Sequence, residues 1–294
     1  MPASFSARSW LFAPADSERK MQKAADGPAD AVIFDLEDSV APASKPAARE
    51  RTRAFLDAAT DHDRLWVRIN PLNSGMALDD LAQVMPGRPG GIMLPKSEGR
   101  ADLERLSHYL SALEAANGIE QGATKIIALV TETAAAMFTT GEYRGHYPGS
   151  DRLVAMSWGA EDLSSALGSS QRTLPDGSYT PVYELARNLC LLGAVAAEVA
   201  PIETIMADFR DLDGLKHRAE MLRRSGFRGM LAIHPAQVEI INAAFTPGEE
   251  ELARAREVVA LFAANPEAGA IGHEGAMLDR PHLLQAQALL ALAR

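Results

Sequence analysis

Eight short apolar runs, separated by stretches long enough for crossover helices, constrain this chain more than any other feature. They read "SWLFAP" (9 to 14), "DAVIFDLED" (30 to 38), "LWVRIN" (65 to 70), "GIMLPK" (91 to 96), "KIIALVTE" (125 to 132), "RLVAMSWG" (152 to 159), "PIETIMAD" (201 to 208) and "GMLAIHP" (229 to 235). Their apolarity is near-continuous rather than alternating, as in parallel strands covered on both faces. The segments between them carry helical patterns. "DLERLSHYLSALEAANG" (102 to 118) repeats leucine at helical spacing and ends in Asn-Gly, and residues 181 to 198 and 247 to 264 behave similarly. Eight β/α units is the count of a (β/α)8 TIM barrel, and 294 residues accommodate one such α/β domain plus a tail.

The expected organisation is a barrel over residues 1–264 and a C-terminal lid segment over 265–294. That segment begins with a Gly-rich linker, "NPEAGAIGHEGAMLDRP" (265 to 281), and ends in a helix over 282 to 293. The final helix lies beyond the eighth unit, so it is expected to pack outside the barrel core, as a lid or against another subunit. "GSSQRTLPDGSYTP" (168 to 181) reads as the least structured interior loop.

Composition excludes several function classes. A balance of 29 basic against 39 acidic residues gives a net charge of -10, which argues against nucleic-acid binding. The single cysteine, Cys190, rules out an intramolecular disulfide or a thiolate metal cluster and is expected to be a small core residue on a helix. "MPASFSARSW" has no apolar signal region and no run approaches the ~20 apolar residues that span a bilayer, so a cytoplasmic location without a membrane partner is expected. A P-loop, an HExxH helix and a GxSxG elbow are all missing.

Polar residues gather at one end of the predicted strands: Glu37 and Asp38, Arg68 and Asn70, Lys96, Glu132, Glu161 and Asp162, Asp208, and His234. In a barrel the C-terminal strand ends carry the active site. Carboxylates dominate this rim, with one histidine and no cysteine, which fits a hard cation with oxygen ligands and Mg²⁺ best, with Mn²⁺ as a substitute. Glu132 and Asp162 end consecutive strands and would converge on neighbouring positions as metal ligands; on residue type alone they also read as solvated loop carboxylates. Arg68 reads either as a bidentate fork for a substrate carboxylate or as a rim salt bridge. Lys96 and His234 also fit helix-capping roles. In "PADSERKMQKA", Asp16 or Ser17 can cap a helix carrying Arg19, Lys20 and Lys23, which suits a phosphate as well as a solvated basic face.

Together, "RSWLFAPADSERKMQKA", "DAVIFDLEDSVAP…K…AR", "VRIN", "MLPK", "TET", "WGAEDL" and "AIHPAQVEIINAAFTP" resemble the citrate lyase β-subunit-like family of the HpcH/HpaI aldolase superfamily, with its malyl-CoA and citramalyl-CoA lyases. The resemblance runs in order from about Arg8 to the C-terminus. It implies that Glu132 and Asp162 bind Mg²⁺, with Glu37 and Asp38 beside the ion orienting its waters, and that Arg68 contacts substrate oxygens. It further implies that Phe12 and Lys23 contact coenzyme A, and that Glu161, Ile233 and His234 contact substrate. In "GAMLDRPHLLQAQALL", Asp279 matches an acid/base supplied to a neighbouring subunit of a homo-oligomer, a trimer or hexamer. Asp35 is expected to be structural. Ala15 and Ser17 depart from the family pattern, which has glycine or arginine at these places.

The implied reaction is Mg²⁺-dependent, reversible Claisen-type cleavage of a carboxylated 3-hydroxyacyl-CoA, such as malyl-CoA or citramalyl-CoA, into an acyl-CoA and a 2-oxo acid. A malyl-CoA thioesterase and the β subunit of a citrate lyase complex are the alternative readings. An aldolase acting on free acids is disfavoured by the CoA-like first motif and by Asp279.

Overall fold

The computed structural model describes residues 7–293. Eight parallel strands close into a barrel in chain order: β1 (Ser9–Pro14), β2 (Ala31–Asp35), β3 (Leu65–Arg68), β4 (Gly91–Leu94), β5 (Lys125–Leu129), β6 (Leu153–Ser157), β7 (Ala200–Glu203) and β8 (Gly229–Ala232). Closure comes from pairing β1 with β8, Trp10 opposite Leu231. Seven strands fall inside the apolar runs, and the eighth, β7, starts one residue before its run. The helices on the outside are α1 (Glu18–Ala25), α2 (Lys45–Ala58), α3 (Ala77–Val84), α4 (Arg100–Ala116), α5 (Ala160–Leu167), α6 (Pro181–Ala196), α7 (Leu212–Ser225) and α8 (Pro235–Ala244).

The barrel interior is filled by Trp10, Ile33, Trp66, Met93, Ile127, Leu129, Ile202 and Leu231, all at most 3% exposed. Trp10 and Trp66 meet edge to face at 5.1 Å between ring centroids, a geometry favoured by the ring quadrupoles. Their indole nitrogens donate to the Ala7 and Asp63 carbonyls at the strand starts. The barrel is thus plugged by packed side chains, and polar chemistry is confined to its ends. Cys190 is buried on α6, as expected.

Three features differ from the sequence expectation. The connection from β5 to β6 contains no α-helix; two 3₁₀ turns, Ala136–Phe138 and Thr140–Tyr143, take its place. Thr139, Thr140, Gly141 and Gly145 make that stretch a poor helix former. The chain also divides into compact units at Met1–Asn242 and Ala243–Arg294, so α9 (Glu249–Ala264) falls in the second unit, where it packs on α10 (Arg280–Leu290). The sequence reading had set the boundary after residue 264. Finally, the expected linker contains an antiparallel hairpin, β9 (Ala270–His273) with β10 (Ala276–Asp279). Its two-residue turn, Glu274-Gly275, has φ of 47° and 79°, the left-handed pair that tight hairpins require.

Candidate active site

The C-terminal ends of β2 to β6 bring one connected set of charges together. Asp35 is the last residue of β2 and Arg68 the last of β3, and the strand register places them opposite each other. The Arg68 guanidinium donates from Nε to Asp35 Oδ1 at 2.8 Å and from Nη2 to Asp35 Oδ2 at 2.7 Å. Its Nη1 lies 3.1 Å from Glu37 Oε2, and its plane sits 4.7 Å above the Phe12 ring. Arg68 therefore keeps N–H groups for a further acceptor while two carboxylates and an aromatic face fix its direction. The salt-bridge reading of Arg68 holds, and Asp35 is its partner.

Lys96 continues the set. Its ammonium is 2.5 Å from Glu37 Oε1 and 3.0 Å from Asp162 Oδ1, while its main-chain N–H donates to Glu132 Oε2 at 2.7 Å. Asp162 sits in the first turn of α5 with a partly exposed side chain, and Glu132, just past β5, is 3% exposed. Gly159 is why Glu132 fits: a Cβ on Gly159 would stand 2.5 Å from Glu132 Oε1. Beneath, the buried Lys45 ammonium donates to the Leu36 and Glu37 carbonyls and to Asn70 Oδ1 at 2.7 to 2.8 Å, which fixes the β2 exit turn.

The electrostatics are unbalanced. Asp35, Glu37, Glu132 and Asp162 face Arg68 and Lys96, and the buried Lys45 ammonium also acts on Asp35 and Glu37, so four carboxylates meet three cations and the fully ionised set carries an excess of one negative charge. Burial raises the Glu132 pKa well above the ordinary glutamate value, and the charges of Asp162 and Glu37 raise it further. Burial also raises Glu37, against the opposing pull of Arg68 and Lys96. Asp35 goes the other way: burial would raise it, but the charge and hydrogen bonds of Arg68 hold it below the usual range. Two buried hydroxyl oxygens at this rim, Thr131 Oγ1 and Ser157 Oγ, have no hydrogen-bond partner among the described residues, and Glu37 Oε2 has only its ion pair with Arg68. A divalent cation with its waters would supply both missing elements, positive charge and donors. Among the described residues no three His, Cys, Asp or Glu side chains are grouped as a metal site; Mg²⁺ typically takes one or two protein carboxylates and fills its remaining positions with other oxygens.

The other sequence-predicted residues have their own local surroundings. Asp38 is exposed, because the chain turns immediately after Glu37, and only Glu37 of that pair enters the cluster. Glu161 is exposed and accepts from Arg172 at 2.6 Å, on the loop that follows α5. Lys23 is exposed in the last turn of α1. Ile233 is 38% exposed beyond β8, and the His234 ring stacks on Phe209 at 4.7 Å. Asp279 caps α10, with Oδ1 2.5 Å from His282 Nδ1.

Several positioning residues escaped the sequence reading. Gln237 Oε1 accepts from the Ile233 and His234 main-chain N–H groups, and its Nε2 donates to the Met206 carbonyl. Glu203, at the end of β7, accepts from Trp158 Nε1 and Arg218, and Arg218 also donates to Tyr179. Tyr179 thereby anchors the 168–181 loop that looked unstructured. The available signal was a lone polar residue at a strand end, which Glu203 offered and Gln237, one turn later, did not.

The model of the HpcH/HpaI aldolase/citrate lyase family matches residues 8–235. The chain belongs to that family. Within it, a citrate lyase subunit beta-like protein of Mycobacterium tuberculosis is 37% identical over 97% of this chain and 94% of its own length. A (3S)-malyl-CoA thioesterase of Cereibacter sphaeroides is 33% identical over 97% and 94%. A mitochondrial citramalyl-CoA lyase of Rattus norvegicus is 31% identical over 97% and 86%. The crystal structure of protein CitE from Mycobacterium tuberculosis, in complex with magnesium, acetoacetate and coenzyme A, is 36% identical, covers 98% of both chains and superposes with a TM-score of 0.81. Family members thus share the closed barrel found here.

Proposed function

We propose that this protein is a Mg²⁺-dependent lyase that cleaves a carboxylated 3-hydroxyacyl-CoA, such as malyl-CoA or citramalyl-CoA, reversibly into an acyl-CoA and a 2-oxo acid. One observation carries the reading: a largely buried carboxylate set that outnumbers its cations and includes Glu132 and Asp162 lies where barrel enzymes keep their chemistry. The solved relative with magnesium, acetoacetate and coenzyme A supports it.

Glu132 and Asp162 would hold the metal, which supplies Lewis-acid stabilisation of negative charge on substrate oxygens. Arg68, fixed by Asp35, Glu37 and Phe12, would direct its remaining N–H groups at the charge that develops on the thioester oxygen as the carbon-carbon bond breaks. As the 3-hydroxyl gives up its proton to solvent and becomes the carbonyl of the 2-oxo acid, the electron pair of the carbon-carbon bond passes to the acyl-CoA carbon, which then takes a proton. Asp279 of a neighbouring copy in a homo-oligomer would give that proton in cleavage and remove it in condensation.

A second reading, a malyl-CoA thioesterase, is favoured by the 33% identical relative of that name. Product analysis separates the two: glyoxylate and acetyl-CoA from malyl-CoA for the lyase, free malate and coenzyme A for the thioesterase. Activity of the isolated protein on the CoA thioester would exclude a carrier-dependent citrate lyase subunit. Rates on a panel of malyl, methylmalyl and citramalyl thioesters set the substrate, because one methyl group is worth only about 1 to 3 kcal/mol in a pocket.

A further inference from the structure

Lys96 touches every carboxylate of the rim set except Asp35. Its ammonium bridges Glu37 Oε1 and Asp162 Oδ1 at 2.5 and 3.0 Å, and its own amide holds Glu132 Oε2 at 2.7 Å. The backbone adopts φ of 51° to do this, a left-handed conformation that non-glycine residues seldom take. One residue thus orients Glu132 through its main chain and occupies Asp162 through its side chain.

We infer that Lys96 is an internal counter-cation that sets the affinity of this site for a divalent metal. It shares Asp162 in the metal-free chain and yields that carboxylate to the arriving ion while remaining on Glu37. Two consequences follow from charge alone. Removing the ammonium leaves the metal-free site with one more uncompensated negative charge, which destabilises it. The same removal deletes a positive charge beside the incoming cation, which strengthens metal binding.

The inference rests on the assignment of Glu132 and Asp162 as metal ligands, and calorimetric titration of the full-length protein with Mg²⁺ tests the two separately. Wild type should bind Mg²⁺, and Glu132→Gln should lose that binding. If wild type does not bind, or Glu132→Gln binds equally well, the ligand assignment fails. Given normal wild-type behaviour, Lys96→Met should bind Mg²⁺ more tightly, by at least about tenfold, the lower bound for one unit charge a few ångströms from a divalent ion even at the dielectric of bulk water. Its melting temperature in EDTA should fall below wild type, and its rise on adding Mg²⁺ should be larger. Lys96→Arg, which keeps the charge, should restore an affinity near wild type. Unchanged or weaker Mg²⁺ binding by Lys96→Met overturns the inference and leaves the ligand assignment standing. Should Lys96→Met fail to fold in EDTA, Lys96→Gln removes the same charge while keeping a donor, and the same titration decides.

Discussion

Two buried charge clusters sit at opposite ends of the barrel strands, and they are built on opposite principles. Next to the starts of β5 and β6, Arg152 grips Glu114 of α4 with both Nη groups, at 2.7 and 2.6 Å. The Gly122 and Thr124 main-chain N–H groups complete the carboxylate shell, while Arg152 also donates to the Thr124 carbonyl and Ser111 Oγ. Charges there balance one to one. Burial alone would raise Glu114, but the Arg152 bond and the two N–H groups hold its pKa below the usual range. At the other end Glu132 rises and the anions outnumber the cations. A saturated cluster holds two segments together; an unsaturated one holds free energy available to a ligand. Both clusters contain a nearly fully buried glutamate, Glu114 and Glu132, so satisfaction, rather than depth, marks the functional end.

The sharpest way to break this contrast is to exchange the consequences. Arg152→Leu leaves Glu114 buried and unpaired and should destabilise the fold by about 3 to 5 kcal/mol, measured by urea unfolding, with kcat per folded molecule near wild type. A stability close to wild type would show that the lower cluster is not structural. Glu132→Gln and Asp162→Asn should do the reverse, costing at least about two orders of magnitude in kcat on the preferred CoA thioester. Their melting temperatures in EDTA should equal or exceed wild type, since each removes surplus negative charge. EDTA should abolish wild-type activity and Mg²⁺ or Mn²⁺ restore it; full activity in EDTA would sink the metal reading.

Arg68→Lys is a smaller lesion, because it keeps the charge and loses the planar fork that spans Asp35. A drop of about tenfold or more in kcat/KM is expected, and near-normal kinetics would reduce Arg68 to a rim salt bridge. The smallest effect is on pH dependence in EDTA. Glu132 and Glu37 have raised folded pKa values, so their contribution is fully present below the ordinary glutamate value and is lost as pH rises through the raised ones. Asp35 and Glu114 have lowered values, so theirs is present above the ordinary carboxylate range and lost as pH falls. The metal-free melting temperature should therefore decline on both sides of a maximum, and Mg²⁺ should flatten the alkaline decline by a few °C, roughly what 1 to 2 kcal/mol is worth at this size.

The strands were legible because a buried parallel strand needs an apolar run and little else supplies one. The helix-free β5–β6 crossover was not, since a pattern of spacing cannot show that Thr and Gly displace a helix. The 270–279 hairpin was missed because Glu-Gly, unlike Asn-Gly or Asp-Gly, is a poor advertisement for a two-residue turn. At the site, Glu132, Asp162, Arg68 and Glu37 could be picked out by position at strand ends. Asp38 shares that position but is exposed, and position alone cannot say where a chain turns. Lys96 was noted but underrated, and Lys45 and Gly159 passed without a site role, because a counter-charge or the absence of a Cβ acquires meaning only from its neighbours in space.

Gly159 joins two carboxylates that sequence keeps thirty residues apart, Glu132 and Asp162. It presses against the Glu132 carboxylate and is also the residue from which α5 starts, three positions before Asp162. The two candidate ligands are therefore geared through a single peptide turn: a rotation of that turn shifts the Asp162 arm and the wall behind Glu132 together. Tuning the bite of the site does not require touching either carboxylate, and a lone methyl group at position 159 would jam both.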